Sequence, residues 1–213
     1  MNNEIYEIAV RKVKAGKDKE FVKAREAFIA ELKKQDGAET DREFKSFFSM
    51  PQPDDTDVFI GMTRWTSMEA FAKAGGKLLA TEVAQNFFST FDMKAYVQVV
   101  PIKGDFDLDT VAKDGQILEL AVRTWRDDKK DEFEKGRDDF VELLSKQDGY
   151  LADYEFKVLG ENAENLTVGM TVYENKDAFM KLIEPILKEK VAQQYFETFD
   201  IVASQFAFST TNQ

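Results

Sequence analysis

A ten-residue stretch that the chain contains twice limits its fold more than any other feature. Val83–Asp92 reads VAQNFFSTFD, and Val191–Asp200 reads VAQQYFETFD. The likeness extends well beyond it. Ile5–Lys45 aligns with Ile117–Lys157 at an offset of 112, with 20 of 41 positions identical. Val58–Ala95 aligns with Leu166–Ala203 at an offset of 108, with 15 of 38 identical. Neither alignment needs a gap. The change of offset places four extra residues in the first copy between Ser46 and Asp57, where Pro51, Pro53, Asp54 and Asp55 predict a solvated surface loop. A period of about 110 residues is too long for a solenoid. The chain is therefore a duplicated domain, with units at 1–100 and 117–213 joined by a polar linker, 101–116.

Each unit reads as βαββαβ. In Ile5–Val13, Tyr6, Ile8 and Val10 alternate with Ile5, Glu7, Ala9 and Arg11, and Ile117–Trp125 repeats the pattern. Period two predicts a strand with one apolar and one mixed face. Phe21, Ala24, Phe28 and Leu32 form a helical stripe over Lys17–Asp36, which Gly37 closes. Strands follow at Glu43–Phe48 and Val58–Trp65, matched by Tyr154–Leu159 and Leu166–Tyr173. A second helix, capped by Thr66 with Glu69 or by Asn175, is expected to break at Gly75-Gly76 and at Pro185. Its second piece runs to Asp92 and Asp200, and last strands span Met93–Val100 and Ile201–Phe208. A sheet with helices on one face needs a cover for the other. The expected fold is α+β, two tandem ferredoxin-like units packed sheet to sheet as an intramolecular α+β barrel. The Glu/Ala/Arg face of strand one is expected to look into that barrel.

The run Arg64-Trp65-Thr66-Ser67-Met68-Glu69-Ala70-Phe71 resembles the "strand ending in Trp, then Ser-x-Glu-Ala" signature of antibiotic-biosynthesis-monooxygenase-like domains, of the dimeric α+β barrel superfamily. The resemblance covers roughly residues 4–100 and 116–209, with Tyr173 in place of Trp in the second copy. It implies the fold. It also implies a family of cofactor-free oxygenases, haem-degrading enzymes, isomerases and domains without known activity. The haem-degrading members carry an iron-binding histidine about ten residues after the Trp. Here that region holds Ala74, Gly75 and Gly76, or Leu182, Ile183 and Glu184, which speaks against haem.

Seven residues are candidates for a ligand pocket: Glu7, Arg11, Arg64, Trp65, Glu119, Arg123 and Tyr173. Glu7/Arg11 and Glu119/Arg123 either bind an acidic or phenolic ligand or form a structural ion network, with Glu of one half meeting Arg of the other. Glu43/Glu155 and Lys45/Lys157 belong to that network or to an exposed edge. Trp65 and Arg64 are either an aromatic wall with an anion-binding group or core packing. Phe87, Phe88 and Phe91 are either core or cavity lining, with Gly75-Gly76 as a flexible rim. Met62 and Met170 fill gaps. Asp105–Asp109 mimics a calcium loop but lacks its Gly and Glu.

Composition narrows the chemistry. The chain has no Cys and no His, so thiol catalysis, Ser-His-Asp triads and His-ligated metals are excluded. A net charge of −11 disfavours nucleic acid and anionic lipid. The start MNNEIYE has no signal-peptide pattern, no apolar run approaches the ~20 residues of a membrane span, and a cytoplasmic location is expected. The sequon Asn165-Leu166-Thr167 then counts as accidental. The expected function is a small-molecule-binding barrel, without cofactor or metal, for a small apolar or aromatic ligand. It is either a cofactor-independent oxygenase on an aromatic or polyketide-like substrate or a non-catalytic scaffold. An isomerase using Glu7 or Glu119 as base is a third class. A duplicated chain contains its own dimer, so a monomer is expected, with further self-association open.

Overall fold

The computed structural model describes residues 3–52, 55–161 and 163–210. Pro53 and Asp54 of the expected loop, and the first two residues of the N-terminal stretch, lie outside them. The first copy forms β1 (Ile5–Val13), α1 (Asp18–Leu32), β2 (Ala38–Met50), β3 (Val58–Trp65), α2 (Met68–Leu78), α3 (Glu82–Phe88) and β4 (Phe91–Lys103). The second forms β5 (Ile117–Trp125), α4 (Lys130–Ser145), β6 (Tyr150–Val158), β7 (Leu166–Tyr173), α5 (Lys176–Lys188), α6 (Lys190–Phe196) and β8 (Phe199–Ser209). No described helix is long and apolar enough to cross a membrane.

The eight strands close into one antiparallel barrel in the order β1-β3-β2-β8-β5-β7-β6-β4. Two seams join the copies. β2 pairs with β8 from Phe44↔Ser209 to Met50↔Ser204, and β4 pairs with β6 through Val99↔Val158. Every strand thus has two neighbours, so β2 and β6 are not the edges that the sequence allowed.

The alternation in β1 is as expected, but its faces are the reverse. Tyr6, Ile8 and Val10 point into the barrel, where they join Leu118, Leu120 and Val122 in one apolar core that also holds Met62 and Met170. Glu7 and Arg11 point outward, under the helices. The physical reason is satisfiability. A closed apolar interior offers no partners for charge, whereas the helix side supplies arginines and rings.

The linker is not simply polar. Its Phe106, Leu108, Val111 and Ala112 are buried in the barrel core. Phe106 packs edge-on against Tyr6, Tyr154 and Phe156 at 4.9–5.1 Å. Arg42 holds the segment down by donating to the carbonyls of Leu108, Val111 and Ala112. Arg64 pairs with Asp109 at 2.8 Å, and with Glu39 at 2.8 Å.

The expected helix breaks are displaced. α2 runs through Gly75-Gly76, and α5 runs through Pro185. The interruptions fall at Leu79–Thr81 and at Glu189, where Thr81 caps α3. Ser67, not Thr66, caps α2 by accepting from the Ala70 N–H, and Asn175 caps α5 as expected.

Candidate functional site

On the helix side of β1, a chain of buried and half-buried charges is built within one half. Arg11 donates from Nη2 to Glu43 Oε1 at 2.8 Å. Arg25 of α1 lies 2.5 Å from Asp41 Oδ1 and 2.6 Å from Glu43 Oε2, and Thr63 donates to Asp41 at 3.1 Å. The second half repeats the set. Arg123 donates twice to Glu155 at 2.8 Å, and Arg137 bridges Glu155 and Asp153. The expected pairing of Glu in one half with Arg in the other does not occur: each arginine is served by β2 or β6 of its own half. Lys45 and Lys157 stay exposed and outside the set.

The arginines lie flat on the sheet because the neighbouring strand carries glycine there. A Cβ on Gly61 would stand 2.9 Å from Arg11 Cζ, and one on Gly169 would stand 2.9 Å from Arg123 Cζ. Above, Arg11 faces the rings of Phe21, Phe87 and Phe91 at 5.2–5.7 Å. Arg123 faces Phe133 and Phe199, and also donates to the Tyr195 hydroxyl. Substituting either glycine by alanine displaces a sandwiched guanidinium and is expected to destabilise the fold by about 1–3 kcal/mol, read from urea unfolding midpoints.

Glu7 and Glu119 are held differently from the rest, by neutral donors. Trp65 Nε1 donates to Glu7 Oε2 at 3.0 Å, and the Tyr96 hydroxyl donates to Oε1 at 2.7 Å. In the second half the Tyr173 hydroxyl donates to Glu119 Oε2 at 2.8 Å. Burial pushes the Glu7 carboxyl above the usual range, and its two donors and Arg11 pull it back in part. Burial pushes Glu119 to about 7 and Asp153 to about 6.

A carboxyl whose folded pKa is raised binds more protons folded than unfolded in the window between the two values. Its contribution is fully present below about 4.5 for Glu119 and is lost as pH rises through about 7. The urea midpoint of the wild type is therefore expected to fall between pH 5 and pH 7.5. Glu119→Gln removes its part of that slope, chiefly above about pH 6, while Asp153 supplies a further part below it. An unchanged slope contradicts the assignment.

A cavity of about 410 Å³ opens over β1 in the first half. Glu7, Ala9, Arg11, Asp41 and Thr63 form its floor; Phe28, Phe87, Phe88 and Phe91 its walls. The rim is apolar and exposed, with Leu79, Met93 and Tyr96 at 43–58% exposure. The expected Phe cluster thus serves both as core and as lining. Gly75-Gly76 does not form the rim; Leu79 does.

The seven sequence candidates divide cleanly. Glu7 and Arg11 line the cavity. Trp65 lies behind it, 2% exposed, gripping Glu7 and packing edge-on against Phe71. Arg64, on β3, is turned away from the cavity and pairs with Asp109 of the linker. Glu119, Arg123 and Tyr173 form the second-half counterpart. Sequence reasoning missed Arg25, Asp41, Gly61 and Thr63, although each is identical in both copies, a signal available from the alignment. It also missed Tyr96, whose counterpart is Ser204. No group of three or more Asp or Glu among the described residues is placed to hold a metal ion. In the calcium-loop mimic, Asp107 accepts from the Asp109 N–H and Asp109 is taken by Thr40 and Arg64.

No protein-family model matches the sequence, and no curated protein matches it. Solved structures do match its fold. An anthrone oxidase-like protein superposes with a TM-score of 0.72 at 10% identity, covering 98% of this chain and 92% of that one. A "putative monooxygenase" from Lactobacillus acidophilus gives 0.53 at 12% identity, covering 98% and 95%. A chlorite dismutase from Candidatus Nitrospira defluvii gives 0.58 at 8% identity, covering 98% and 92%. The chain shares with these proteins its fold, an α+β barrel of eight antiparallel strands.

Proposed function

We propose that this protein is a small-molecule-binding α+β barrel of monooxygenase-like type, built from two tandem ferredoxin-like units. Its ligand, small and aromatic, occupies the first-half cavity with its polar edge on Glu7. The observation that carries the reading is the cavity itself: four phenylalanine walls over a floor with one carboxyl held by neutral donors. Apolar cavities with a few convergent polar groups are the usual form of small-molecule sites. The fold-sharing proteins described as anthrone oxidase-like and monooxygenase point the same way.

The chemistry follows from the residues. Asp41 and Glu43 are committed to Arg25 and Arg11, so Glu7 is the carboxyl left to accept a ligand proton. Burial makes it a stronger base than an exposed glutamate. The Trp65 N–H holds the carboxylate in place, and the phenylalanines keep water from the ring. A proton taken from an acidic ring CH₂ leaves an electron-rich anion. Dioxygen adds to that anion, Glu7 returns the proton to the peroxide, and loss of water leaves a ring carbonyl. The sum is CH₂ + O₂ → C=O + H₂O. An anthrone that carries a hydroxyl beside its ring CH₂ is a suitable test substrate. The wild type is expected to accelerate its oxidation, followed by absorbance and oxygen uptake, and Glu7→Gln to lose about a hundredfold of that rate.

A second reading has its own support. The ion network recurs in both halves with its carboxylates and guanidiniums mutually paired, as a scaffold requires. Anthrone oxidation no faster than in buffer, with ring probes still bound in the cavity, favours a binding protein without catalysis. Failure to bind any probe favours the scaffold. Either way the chain is proposed to act as a monomer, since its own two halves close the barrel.

A further inference from the structure

The two hydrogen bonds to Glu7 differ in one respect that bears on ligand selection. Trp65 is 2% exposed and wedged against Phe71, so its N–H is fixed. Tyr96 is 46% exposed, stands at the cavity rim, and reaches inward only with its hydroxyl. It pairs across the strands with Ala9, whose methyl leaves the floor beneath the phenol open. Around it Leu79 and Met93 are exposed as well, so the ring has room to turn outward.

The charges set what can replace it. Two guanidiniums, Arg11 and Arg25, face two carboxylates, Asp41 and Glu43, and Glu7 is a third carboxyl. A ligand carboxylate adds negative charge beside Glu7 without gaining a free cation. A ligand hydroxyl restores the bond that Tyr96 makes. The second half lacks this arrangement. Ser204 stands at the position of Tyr96 and is 4% exposed, and Glu119 takes its donor from Tyr173, 1% exposed.

We propose that the Tyr96 hydroxyl holds the place of a ligand hydroxyl on Glu7. A ring ligand that donates a hydrogen bond turns Tyr96 outward and takes its place, a ligand without a donor leaves Tyr96 on Glu7, and a ligand carboxylate is disfavoured. Tyr96 is thus a specificity-determining residue that competes with the ligand. This rests on the cavity reading above, and the test separates the two.

The probes are 2-naphthol, 2-methoxynaphthalene and 2-naphthoate, titrated calorimetrically into the wild type and Tyr96→Phe. The wild type is expected to bind 2-naphthol at least about tenfold more tightly than 2-naphthoate, and to bind 2-methoxynaphthalene without displacing Tyr96. Tyr96→Phe is expected to bind 2-naphthol about tenfold more tightly than the wild type, the worth of one competing hydrogen bond to a charged acceptor. Its affinity for 2-methoxynaphthalene stays unchanged. Weaker naphthol binding by the variant, or an equal shift for all three probes, makes Tyr96 a fixed donor or a wall and overturns the inference while the cavity reading stands. Saturable binding of no probe to either protein overturns both. Tyr96→Leu repeats the test should the phenylalanine variant fold poorly, with the same expected direction for 2-naphthol relative to 2-methoxynaphthalene.

Discussion

Arg123→Met is expected to destabilise the protein by about 3–5 kcal/mol, the cost of breaking a buried ion pair from one side. Arg123 is 6% exposed and makes two 2.8 Å bonds to Glu155, one to Tyr195, and ring contacts with Phe133 and Phe199. Methionine fills most of the volume, so the cavity penalty is small. The loss is electrostatic: Glu155 keeps Arg137, but two carboxyls, Asp153 and Glu155, then share one guanidinium. At roughly 2–4 °C per kcal/mol for a chain of this size, Tm falls by about 10 °C. Arg11→Met is expected to cost less. Arg11 makes one bond to Glu43, and Arg25 beside it is partly solvated at 18% side-chain exposure. Calorimetry of the pair checks the order, and equal small losses contradict it.

Phe106→Ala is expected to cost about 3–4 kcal/mol, as for a large core aromatic, with the edge-on ring contacts adding to the loss. Phe106 belongs to the connection between the copies, yet it is 8% exposed and touches Tyr6 of the first half and Tyr154 and Phe156 of the second. Its removal loosens both halves together, so unfolding is expected to remain a single transition at a lower urea midpoint. A solvated tether would tolerate the change within about 0.5 kcal/mol. A second, separate transition would mean that the halves are stable apart.

The duplication and the β1 alternation make the barrel legible in the amino-acid sequence. Which face of β1 turns inward is not legible there. Glu7 and Arg11 mark a polar face, but the partners that satisfy it, Arg25 on α1 and Asp41 and Glu43 on β2, come from other elements. No pattern within β1 encodes them. The copies nonetheless preserve Arg25/Arg137, Asp41/Asp153 and Gly61/Gly169 unchanged, and the second copy, read as a control on the first, is enough to assemble the network. Tyr96 escapes that method because it differs between copies. Gly75-Gly76 misleads for a local reason. Two helical glycines cost about 1 kcal/mol each, and the Ser67 cap with the buried Ala74 and Leu78 outweighs them. The linker misleads because its apolar residues follow no period, although Phe106, Leu108 and Val111 are core in the barrel.

Titration of 2-naphthol into the wild type, Ala9→Leu and Ala121→Leu tests the central claim most directly. Ala9 lies on the cavity floor between Glu7 and Arg11, and Ala121 is its counterpart in the second half. A leucine at Ala9 fills the space over the floor. Binding is expected to fall by about a hundredfold or more in Ala9→Leu, with Tm preserved, and to persist in Ala121→Leu. Equal binding by all three proteins, or loss in Ala121→Leu alone, would contradict a ligand site in the first half.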